Sequence, residues 1–396
     1  MKQAPTLYLK VNFKLMSNPK KIHTSESSQL TRILIVNDSP MVTAVIQAII
    51  ETEPQYQVVS TVVDGLQACE YCQHHHTDLV IMDIHMPKMD GVGATRKILQ
   101  HKPNTRILIS TATVRTNMSY IFSALNAGAI DYIRSPSLPF KPGASVSNEQ
   151  LRTSGKTLLN KLQCLRALPL PKQERSIHTT KVKRTLKTRL TTVTTKVIVI
   201  GCSTGGPSAL VEVLGKLVSM PTCPIIICQH IEPGFSGDFA AWLEVETGIP
   251  AHLAQSRQNI EAGNLYIVPA GRNLSVTASG RIEVLQPPPE QIFTPNIDFT
   301  FSKFAPHFKH DLLAIVLSGM GADGAVGAKD VIANNGMVLT QDSSTALIDS
   351  MPVSTRKAIN TQHSYLPNQM SNMMESWMRK ASPTLQSTSK VQRGEH

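Results

Sequence analysis

Strand-like apolar runs alternate with helical patterns along two stretches of the chain. In the first stretch, patterns such as PMVTAVIQAIIET and GVGATRKILQ separate five apolar runs, at about 33–36, 57–63, 78–82, 106–110 and 130–133. Strands that alternate with helices of ten to fifteen residues indicate βαβ units and a parallel sheet. We therefore predict a five-stranded doubly wound domain, closed by a fifth helix between residues 148 and 166.

A second alternation begins at Val197. Three buried-strand patterns, VIVIG, PIIICQ and LLAIVLSG, are each followed by a turn and a helical stretch. Before the third of them, NLYIVPAGRNLSVTASGRIEVLQPPPE contains short strands around glycine turns, which predicts a hairpin insertion ahead of a helix near Ile297 to Phe304. The predicted fold class is α/β, with two doubly wound parallel-sheet domains.

Changes in composition give the expected limits of these domains. A polar lead-in, expected to be disordered, occupies residues 1–30, and the last residues form a short tail. The expected order is lead-in 1–30, first domain 31–166 with its core ending near residue 140, linker 167–195, second domain 196–382 and tail 383–396.

Length and hydropathy limit the class of protein. At 396 residues, 41% hydrophobic and 17% charged, the chain is long enough for two domains with sizeable cores. Its apolar runs fall short of the roughly 18 residues that a membrane-spanning helix needs. The N-terminal LYLKVNFKLM is interrupted by lysines, unlike the apolar region of a secretory signal. We expect a soluble, monomeric protein of the cytoplasm.

The net charge of +11 is concentrated in the connecting region. Residues 141–196 hold thirteen Lys or Arg against Glu149 and Glu174, so this segment accounts for the whole formal excess. A solvated linker is the simpler interpretation of such a stretch. Attraction to an acidic partner or a membrane surface is the alternative.

Six cysteines occur, and two of them lie in the segment CEYCQHHH. Cys69 and Cys72, followed by three histidines, have the spacing of a metal-ligand pair. A zinc site usually takes a second pair of ligands from another segment, however, whereas this cluster lies at the end of one predicted helix. We favour surface residues over a metal site, and we expect no disulfides in a reducing cytoplasm.

The turn in VIVIGCSTGGPSAL has two interpretations. Its glycines would let the backbone approach a phosphate, but a dinucleotide site needs G-x-G-x-x-G, and this turn has the wrong spacing. Alternatively, a serine on a sharp strand-to-helix turn is exposed at the rim of an open α/β sheet, where it can act as a nucleophile. The choice depends on whether a base and an acid follow equivalent strands.

Such residues follow the three buried strands of the second stretch. Ser203 comes after the first, His230 after the second and Asp323 after the third. Separately, each has a structural explanation, as a helix cap, a surface histidine or a turn residue. Together, at the carboxyl ends of parallel strands, they form the parts of a Ser-His-Asp triad.

The triad interpretation assigns each residue a role. Serine becomes a good nucleophile when a neighbouring imidazole takes its proton, and a carboxylate orients that imidazole. Backbone N–H groups at Thr204 and within residues 319–321 are candidates for an oxyanion hole. The chain order Ser, His, Asp differs from the Ser, Asp, His order of α/β-hydrolases and points to another family.

Six segments of this second stretch have the sequence and order of the motifs of one known family. They are GCSTGGP, QHIEPGFSGDFAAWL, NLYIVPAGRNL, PNIDFTF, VLSGMGADGAVGAKDVIANNG and TQDSSTALIDSMP, and they cover nearly all of residues 196–363. In this order they resemble the chemotaxis protein-glutamate methylesterases. The resemblance implies hydrolysis of γ-methyl esters of glutamate on the cytoplasmic helices of chemoreceptors, and implies deamidation of glutamines as a second activity.

The resemblance also assigns the site residues and the partners. The matching positions are Ser203, His230 and Asp323 for the triad, and Thr204 and Met320 for the oxyanion hole. It implies no cofactor for catalysis, methyl-accepting chemoreceptors as substrate, and the histidine kinase of a chemotaxis array as a partner. Asn273 is a departure, because the family often has histidine there, and we expect it to alter substrate contacts.

The first domain resembles the receiver domains of two-component signalling over about residues 31–140. DLVIMDIHMPKMDG places Asp83 at the end of a strand, followed by Met-Pro and Asp-Gly. The resemblance implies that Asp83 accepts a phosphoryl group from the kinase and that Asp38 and Asp83 hold Mg²⁺. Thr111 matches the switch hydroxyl.

Two departures weaken this receiver machinery. Asn37 replaces one of two consecutive acids, and Ser135 replaces the lysine that follows the fifth strand. Arg134 lies one position earlier and would face the opposite side of its strand. We therefore expect weak Mg²⁺ binding and slow phosphorylation of Asp83.

Two other classes of function compete with a regulated esterase. One is a response regulator whose second domain binds without catalysis, which the complete set of Ser203, His230 and Asp323 disfavours. The other is a DNA-binding regulator that uses the basic segment. No helix-turn-helix or zinc-finger pattern accompanies that segment, so we expect no nucleic-acid partner.

Overall fold

The computed structural model describes residues 30–112, 118–137, 146–167, 196–291 and 294–380. The predicted lead-in, linker and tail lie almost entirely outside these ranges. The described residues form two compact units, and the helix and the start of the strand within residues 118–132 belong to the second unit.

The first sheet has five strands in the order β2-β1-β3-β4-β5. The strands are β1 Thr31–Val36, β2 Tyr56–Val62, β3 Leu79–Asp83, β4 Arg106–Thr111 and β5 Asp131–Arg134. The helices between them are α1 Pro40–Ile50, α2 Gly65–His74, α3 Gly91–His101 and α4 Met118–Asn126. β1 runs parallel to β2 and β3, and β3 runs parallel to β4. The predicted five-stranded parallel domain is confirmed.

The single helix expected between residues 148 and 166 is two helices, α5 Asn148–Ser154 and α6 Lys156–Ala167. They meet at Gly155, where a Cβ atom would lie 2.3 Å from Ile49 Cγ2 of α1. A glycine at this point therefore lets the chain pass close to α1. Because periodicity carries no information about such a contact, the sequence did not reveal the break.

The second sheet has six strands in the order β13-β12-β6-β7-β9-β8, and all its neighbours are parallel. The strands are β6 Val197–Cys202, β7 Ile225–Gln229, β8 Ala251–Leu253, β9 Leu265–Ile267, β12 Leu312–Val316 and β13 Met337–Thr340. Residues of β6, β7 and β12 are buried throughout, as expected for parallel strands covered on both faces.

An antiparallel hairpin, β10 Asn273–Val276 and β11 Ile282–Leu285, lies between β9 and the next helix. It confirms the predicted hairpin insertion. The helices of this part are α7 Gly206–Leu214, α8 Ser236–Thr247, α9 Ile297–Phe308, α10 Ala325–Ala333, α11 Ser350–Ala358 and α12 Pro367–Arg379. In the described ranges, no helix combines the length and the apolar character needed to cross a membrane.

Lys196, just before β6, is tied to the end of α12. Its Nζ donates to the carbonyl oxygens of Trp377, at 2.7 Å, and of Lys380, and it lies 4.8 Å from the centre of the Trp377 ring. A cation is favourable at the C-terminus of a helix, where carbonyl groups lack partners. The start of β6 and the end of α12 are therefore joined by one side chain.

The segment CEYCQHHH lies on α2 and just after it. His74, His75 and His76 are exposed, as expected of surface residues. The two cysteines depart from that expectation, because Cys72 is buried and Cys69 is half-buried in the packing of the helix. Burial raises the pKa of the Cys72 thiol to about 11, so this side chain acts as a small apolar residue.

Candidate active site

Three neighbouring strands carry the predicted catalytic residues. β6 lies between β12 and β7, and because all three are parallel their carboxyl ends meet at one edge of the sheet. Ser203 directly follows β6, His230 directly follows β7, and Asp323 lies in the loop after β12. This edge is also where the chain order of the strands reverses, the usual position of a site in an open α/β sheet.

Ser203 lies on a tight turn between β6 and α7. Its N–H donates to Ser318 O at 3.0 Å, and its carbonyl accepts from Gly206 N at 2.8 Å. Gly205 has φ +78°, a conformation that favours glycine, and it is the N-cap of α7. Ser203 therefore does not cap the helix, and its half-buried side chain is available for another role.

The loop that follows β12 packs closely against the turn of Ser203. A Cβ atom on Gly319 would lie 2.1 Å from Met351 Sδ and 2.9 Å from Ser203 Cβ. Glycine at 319 is thus required for the loop after β12 to come so close to Ser203.

His230 and Asp323 form a short hydrogen-bonded pair. His230 Nε2 donates to Asp323 Oδ2 at 2.7 Å, and the two side chains are only 11% and 6% exposed. Charge-assisted bonds of this kind are shorter and stronger than neutral ones. The bond fixes the orientation of the imidazole ring.

Backbone N–H groups surround the Asp323 carboxylate. Oδ2 accepts from Ile297 N at 2.8 Å, while Oδ1 accepts from Asp298 N at 2.8 Å and from Gly324 N at 3.0 Å. Ile297 and Asp298 are the first residues of α9, so the carboxylate lies at a helix N-terminus, which favours negative charge.

The pKa of Asp323 reflects these contacts. Burial acts to raise this pKa, but the hydrogen bond and charge of His230, together with the N–H groups of Ile297 and Asp298, outweigh burial and hold the pKa below its usual value. Asp323 is therefore ionised at neutral pH, as a residue that stabilises a protonated imidazole must be.

The N–H groups of Thr204 and Met320, near Ser203, have no hydrogen-bond acceptor among the described residues. In the segment 319–321, Gly319 N donates to Ile348 O and Gly321 N donates to Ser350 Oγ, which leaves the N–H of Met320. The N–H of Thr204 is likewise without an acceptor in this part of the chain. Within residues 319–321, Met320 is therefore the one candidate donor whose N–H has no acceptor among the described residues.

Two family models match the chain. The CheB methylesterase model matches residues 198–374, and the response regulator receiver domain model matches residues 33–139. The chain is 31% identical over 321 residues to protein-glutamate methylesterase/protein-glutamine glutaminase 4 of Myxococcus xanthus, which covers 81% of this chain and 89% of that protein. The chain belongs to the CheB methylesterase family.

One more curated relative agrees with this assignment, and one solved structure is also similar to part of the chain. Protein-glutamate methylesterase/protein-glutamine glutaminase 2 of Methanospirillum hungatei is 31% identical over 327 residues, covering 82% of this chain and 91% of that protein. The crystal structure of the Thermotoga maritima CheB methylesterase catalytic domain is 28% identical, covers 46% of this chain and 99% of that chain, and gives a TM-score of 0.45. The resemblance to this family and to receiver domains is confirmed.

Thr204 carries a second contact in this CheB family site. Its hydroxyl donates to Asp131 Oδ2 at 2.7 Å, and its carbonyl accepts from Ser318 Oγ at 2.8 Å. Both partners belong to the same compact unit as Thr204. The backbone around the candidate oxyanion hole is therefore held from two directions.

Asn273, the departure from the family motif, is not at the surface. It is 1% exposed, it exchanges two hydrogen bonds with the Gln291 amide at 2.7 and 3.0 Å, and its Oδ1 accepts from Asn296 N at 3.1 Å. That Asn273 alters substrate contacts stays a prediction. In the structure Asn273 joins the hairpin to Asn296, the N-cap of α9, whose first residues contact Asp323.

In the receiver, Asp83 lies at the end of β3, as predicted. Its Oδ1 accepts from Ile84 N at 2.7 Å. Burial raises the pKa of Asp83 to about 6, and although the Ile84 N–H lowers it, the negative charge of Asp38 raises it further. A Cβ atom on Gly91 would lie 2.2 Å from Asp83 O, so the Asp-Gly of the motif permits close packing of α3.

Asp38 and Asp83 could bind a divalent cation, but they supply only two carboxylates as ligands. Asp38 and Asp83 are close enough for one charge to raise the pKa of the other, and a cation between them would relieve that repulsion. Asn37 is 4% exposed, and its Oδ1 accepts from Ser39 N at 2.8 Å. Within the described ranges, no group of three His, Cys, Asp or Glu side chains is arranged to hold a metal.

The end of β5 shows what replaces the family lysine. Ser135 is 8% exposed, and its Oγ lies 2.9 Å from Ser110 Oγ, while its N–H donates to Thr111 O at 2.9 Å. Thr111, the predicted switch hydroxyl, is 1% exposed on β4. Arg134 is exposed, in agreement with its predicted position on the other face of the strand.

The sequence did not predict the groups that contact the candidate catalytic residues. The N–H groups of Ile297 and Asp298 bond to Asp323, and the Gln229 carboxamide bonds to the carbonyls of Ser203 and His230. The PNIDFTF motif did contain a signal, because asparagine is a preferred N-cap and Asn296 caps α9 through Phe299 N. The separation of Ile297 and Asp298 from Asp323 along the chain hid the contacts between them.

Proposed function

We propose that the chain hydrolyses γ-methyl esters of protein glutamates, with Ser203 as nucleophile, His230 as base and acid, and Asp323 as the orienting carboxylate. The observation that carries the proposal is the buried His230–Asp323 pair, at the same strand edge as Ser203, whose carbonyl and that of His230 share the Gln229 carboxamide. Relatives named protein-glutamate methylesterase/protein-glutamine glutaminase support the choice of substrate.

The reaction begins with attack by Ser203. As Oγ bonds to the ester carbonyl carbon, its proton passes to His230 Nδ1, because Nε2 is bonded to Asp323. The imidazolium formed is stabilised by the ionised Asp323. The carbonyl oxygen becomes an oxyanion, for which the N–H groups of Thr204 and Met320 are the proposed donors.

Collapse of the tetrahedral intermediate completes the acylation. The C–O bond to the methoxy group breaks, His230 gives its proton to the departing oxygen, and methanol leaves. Water, deprotonated by His230, then attacks the acyl carbonyl carbon. The bond from that carbon to Ser203 Oγ breaks, His230 returns its proton to Oγ, and the glutamate carboxylate is released. With a glutamine side chain the same steps release ammonia, so deamidation is part of the proposal. These steps use no cofactor.

The proposed substrates are methylated chemoreceptors, and the proposed role is sensory adaptation in the cytoplasm, with the chain acting as a monomer. The direct test is purified protein mixed with methylated receptor membranes, with methanol release followed over time. Absence of methanol release from receptors of the same organism, with a control esterase active on them, would contradict the proposal.

The receiver is proposed to regulate this activity, with Asp83 as the acceptor of a phosphoryl group from a histidine kinase. Asp38 and Asp83 would hold Mg²⁺, which when bound neutralises charge on the incoming phosphoryl group. Ser135 supplies no cation for the acceptor phosphate, and its hydroxyl is engaged with Ser110. A charge-assisted bond worth roughly 1.5 to 3 kcal/mol is therefore missing from the phosphorylated state.

Incubation with acetyl phosphate and Mg²⁺ is expected to label Asp83 slowly and to raise methanol release little. The carboxylate is the reacting form, and its pKa is raised to about 6. Labelling should therefore slow further as the pH falls, because protons compete with Mg²⁺ for the Asp83 carboxylate. A strong stimulation that Asp83→Ala abolishes would show that Asn37 and Ser135 are tolerated.

A fragment that begins near residue 192 is expected to be at least as active as the full chain. The family resemblance implies that the receiver restrains the catalytic domain. The fragment also lacks Asp131, so the prediction requires that the bond from Ser318 Oγ to Thr204 O be enough to hold Thr204. The rate of methanol release per folded molecule is compared between the fragment and the full chain. Asp131→Ala in the full chain shows the effect of losing the Asp131 contact alone. A folded fragment with lower activity would mean that the missing residues contribute to the site or to receptor docking.

A further inference from the structure

Gln229, the last residue of β7, contacts the backbone of both proposed catalytic loops. It is 4% exposed, and its carboxamide lies between the turn of Ser203 and the start of the loop of His230. Nε2 donates to Ser203 O at 2.9 Å and to His230 O at 2.9 Å. One planar group therefore connects the carbonyl of the nucleophile to the carbonyl of the base.

The orientation of this carboxamide is fixed by the chemistry of its partners. Two carbonyl oxygens accept on one side, where only an NH₂ group can bond to both. On the other side, Cys202 Sγ donates to Oε1 at 3.1 Å. Burial raises the pKa of the Cys202 thiol far above its usual value, so the sulfur keeps the proton that it donates.

The sequence around Ser203 leaves room for this contact. A Cβ atom on Gly206 would lie 2.3 Å from Gln229 Oε1 and 2.9 Å from Cys202 Cβ. Glycine at 206 is thus required by the Gln229 side chain, in addition to its place in the turn. His230 N also donates to Cys202 O at 2.9 Å, which brings the same two strand ends together.

We propose that Gln229 is a positioning residue that fixes Ser203 relative to His230. The inference rests on the proposed function, in which these two residues exchange a proton. Proton transfer and attack depend steeply on geometry, and a displacement of about 1 Å costs on the order of 10²-fold in rate. Because both amide hydrogens are used, a shift of either loop breaks a bond to Gln229.

The test compares Gln229→Glu and Gln229→Met in the full chain. Glutamate has the same shape but no N–H groups, and it places an oxygen against two carbonyl oxygens. Methionine has a similar length and removes the polar group altogether. We expect kcat for methanol release to fall about 100-fold in Gln229→Glu and 10-fold or more in Gln229→Met, with KM changed less than about threefold.

A second measurement distinguishes misplacement of Ser203 from unfolding of the Gln229 variants. The rate of Ser203 labelling by a fluorophosphonate reports how readily Oγ is activated, and the total label counts competent sites. In both variants this rate is expected to fall in parallel with kcat, while melting temperature and total label stay near those of the parent. Gln258→Met, which changes a half-buried glutamine outside the site, is the matched control and should leave both rates unchanged.

The outcomes distinguish this inference from the proposed function. If Ser203→Ala still releases methanol, the proposed mechanism itself is wrong. If Ser203→Ala is inactive but Gln229→Met keeps the parent kcat per labelled site, only the inference fails. Failure of both variants to fold, or a loss of kcat that matches the loss of competent sites, would assign Gln229 a purely structural role and overturn the inference.

Discussion

Ser203→Ala is expected to lower methanol release from methylated receptors by at least three orders of magnitude. Alanine removes the only atom of the side chain that can form the acyl-enzyme, and no other hydroxyl takes its place in the proposed mechanism. Loss of a triad nucleophile typically costs roughly 5 kcal/mol or more of transition-state stabilisation. The residual rate would come from binding and from the N–H groups of Thr204 and Met320.

Steady-state methanol release, with the melting temperature as a check of folding, decides this prediction. Ser208→Ala is the matched control, because Ser208 is another half-buried serine, in the first turn of α7. It should keep full activity. More than a few per cent of parent activity in a clean Ser203→Ala preparation would rule out Ser203 as the nucleophile.

Asp323→Asn is expected to lower kcat by about 10³- to 10⁴-fold. Asparagine carries no negative charge to stabilise the imidazolium of His230. Its NH₂ group must also lie either at the Oδ1 position, against the N–H groups of Asp298 and Gly324, or at the Oδ2 position, against Ile297 N–H and His230 Nε2, where it favours the opposite tautomer. Both arrangements lose a hydrogen bond in a buried place.

The pH profile gives this prediction a second measurement. Asp323 has a lowered pKa, so in the parent it stays ionised well below neutral pH, and its protonation should leave activity near neutral pH unaffected. Asp330→Asn, which alters another half-buried carboxylate, on α10, is the matched control. Near-parent activity of a folded Asp323→Asn variant would show that Asp323 does not orient the base.

The alternation of apolar runs and helical patterns was enough to predict both sheets. Buried strands such as β6 and β12 are runs of branched apolar residues, and that signal is local. The position of Ser203, His230 and Asp323 after such strands was local as well, so the sequence placed all three at one edge. Whether they act as a triad stays a prediction that the variants above test.

Contacts between segments that are distant along the chain could not be predicted from the sequence. Gln229 looked like one more residue at the end of a strand, and its role depends on where two other carbonyls lie. Asn273 looked like a substrate contact because of its place in a family motif, yet its amide pairs with Gln291 inside the fold. The break at Gly155 depends on Ile49, more than a hundred residues earlier.

The Lys196 contact sets practical limits for any shortened version of the catalytic domain. A clone cut to the limits of the CheB methylesterase match, residues 198–374, would lack both the ammonium group and the carbonyls of Trp377 and Lys380 that it binds. The cut would also remove the Trp377 ring and the last turn of α12. Cloning limits that keep residues 196–380 should therefore give a soluble product where the shorter clone aggregates.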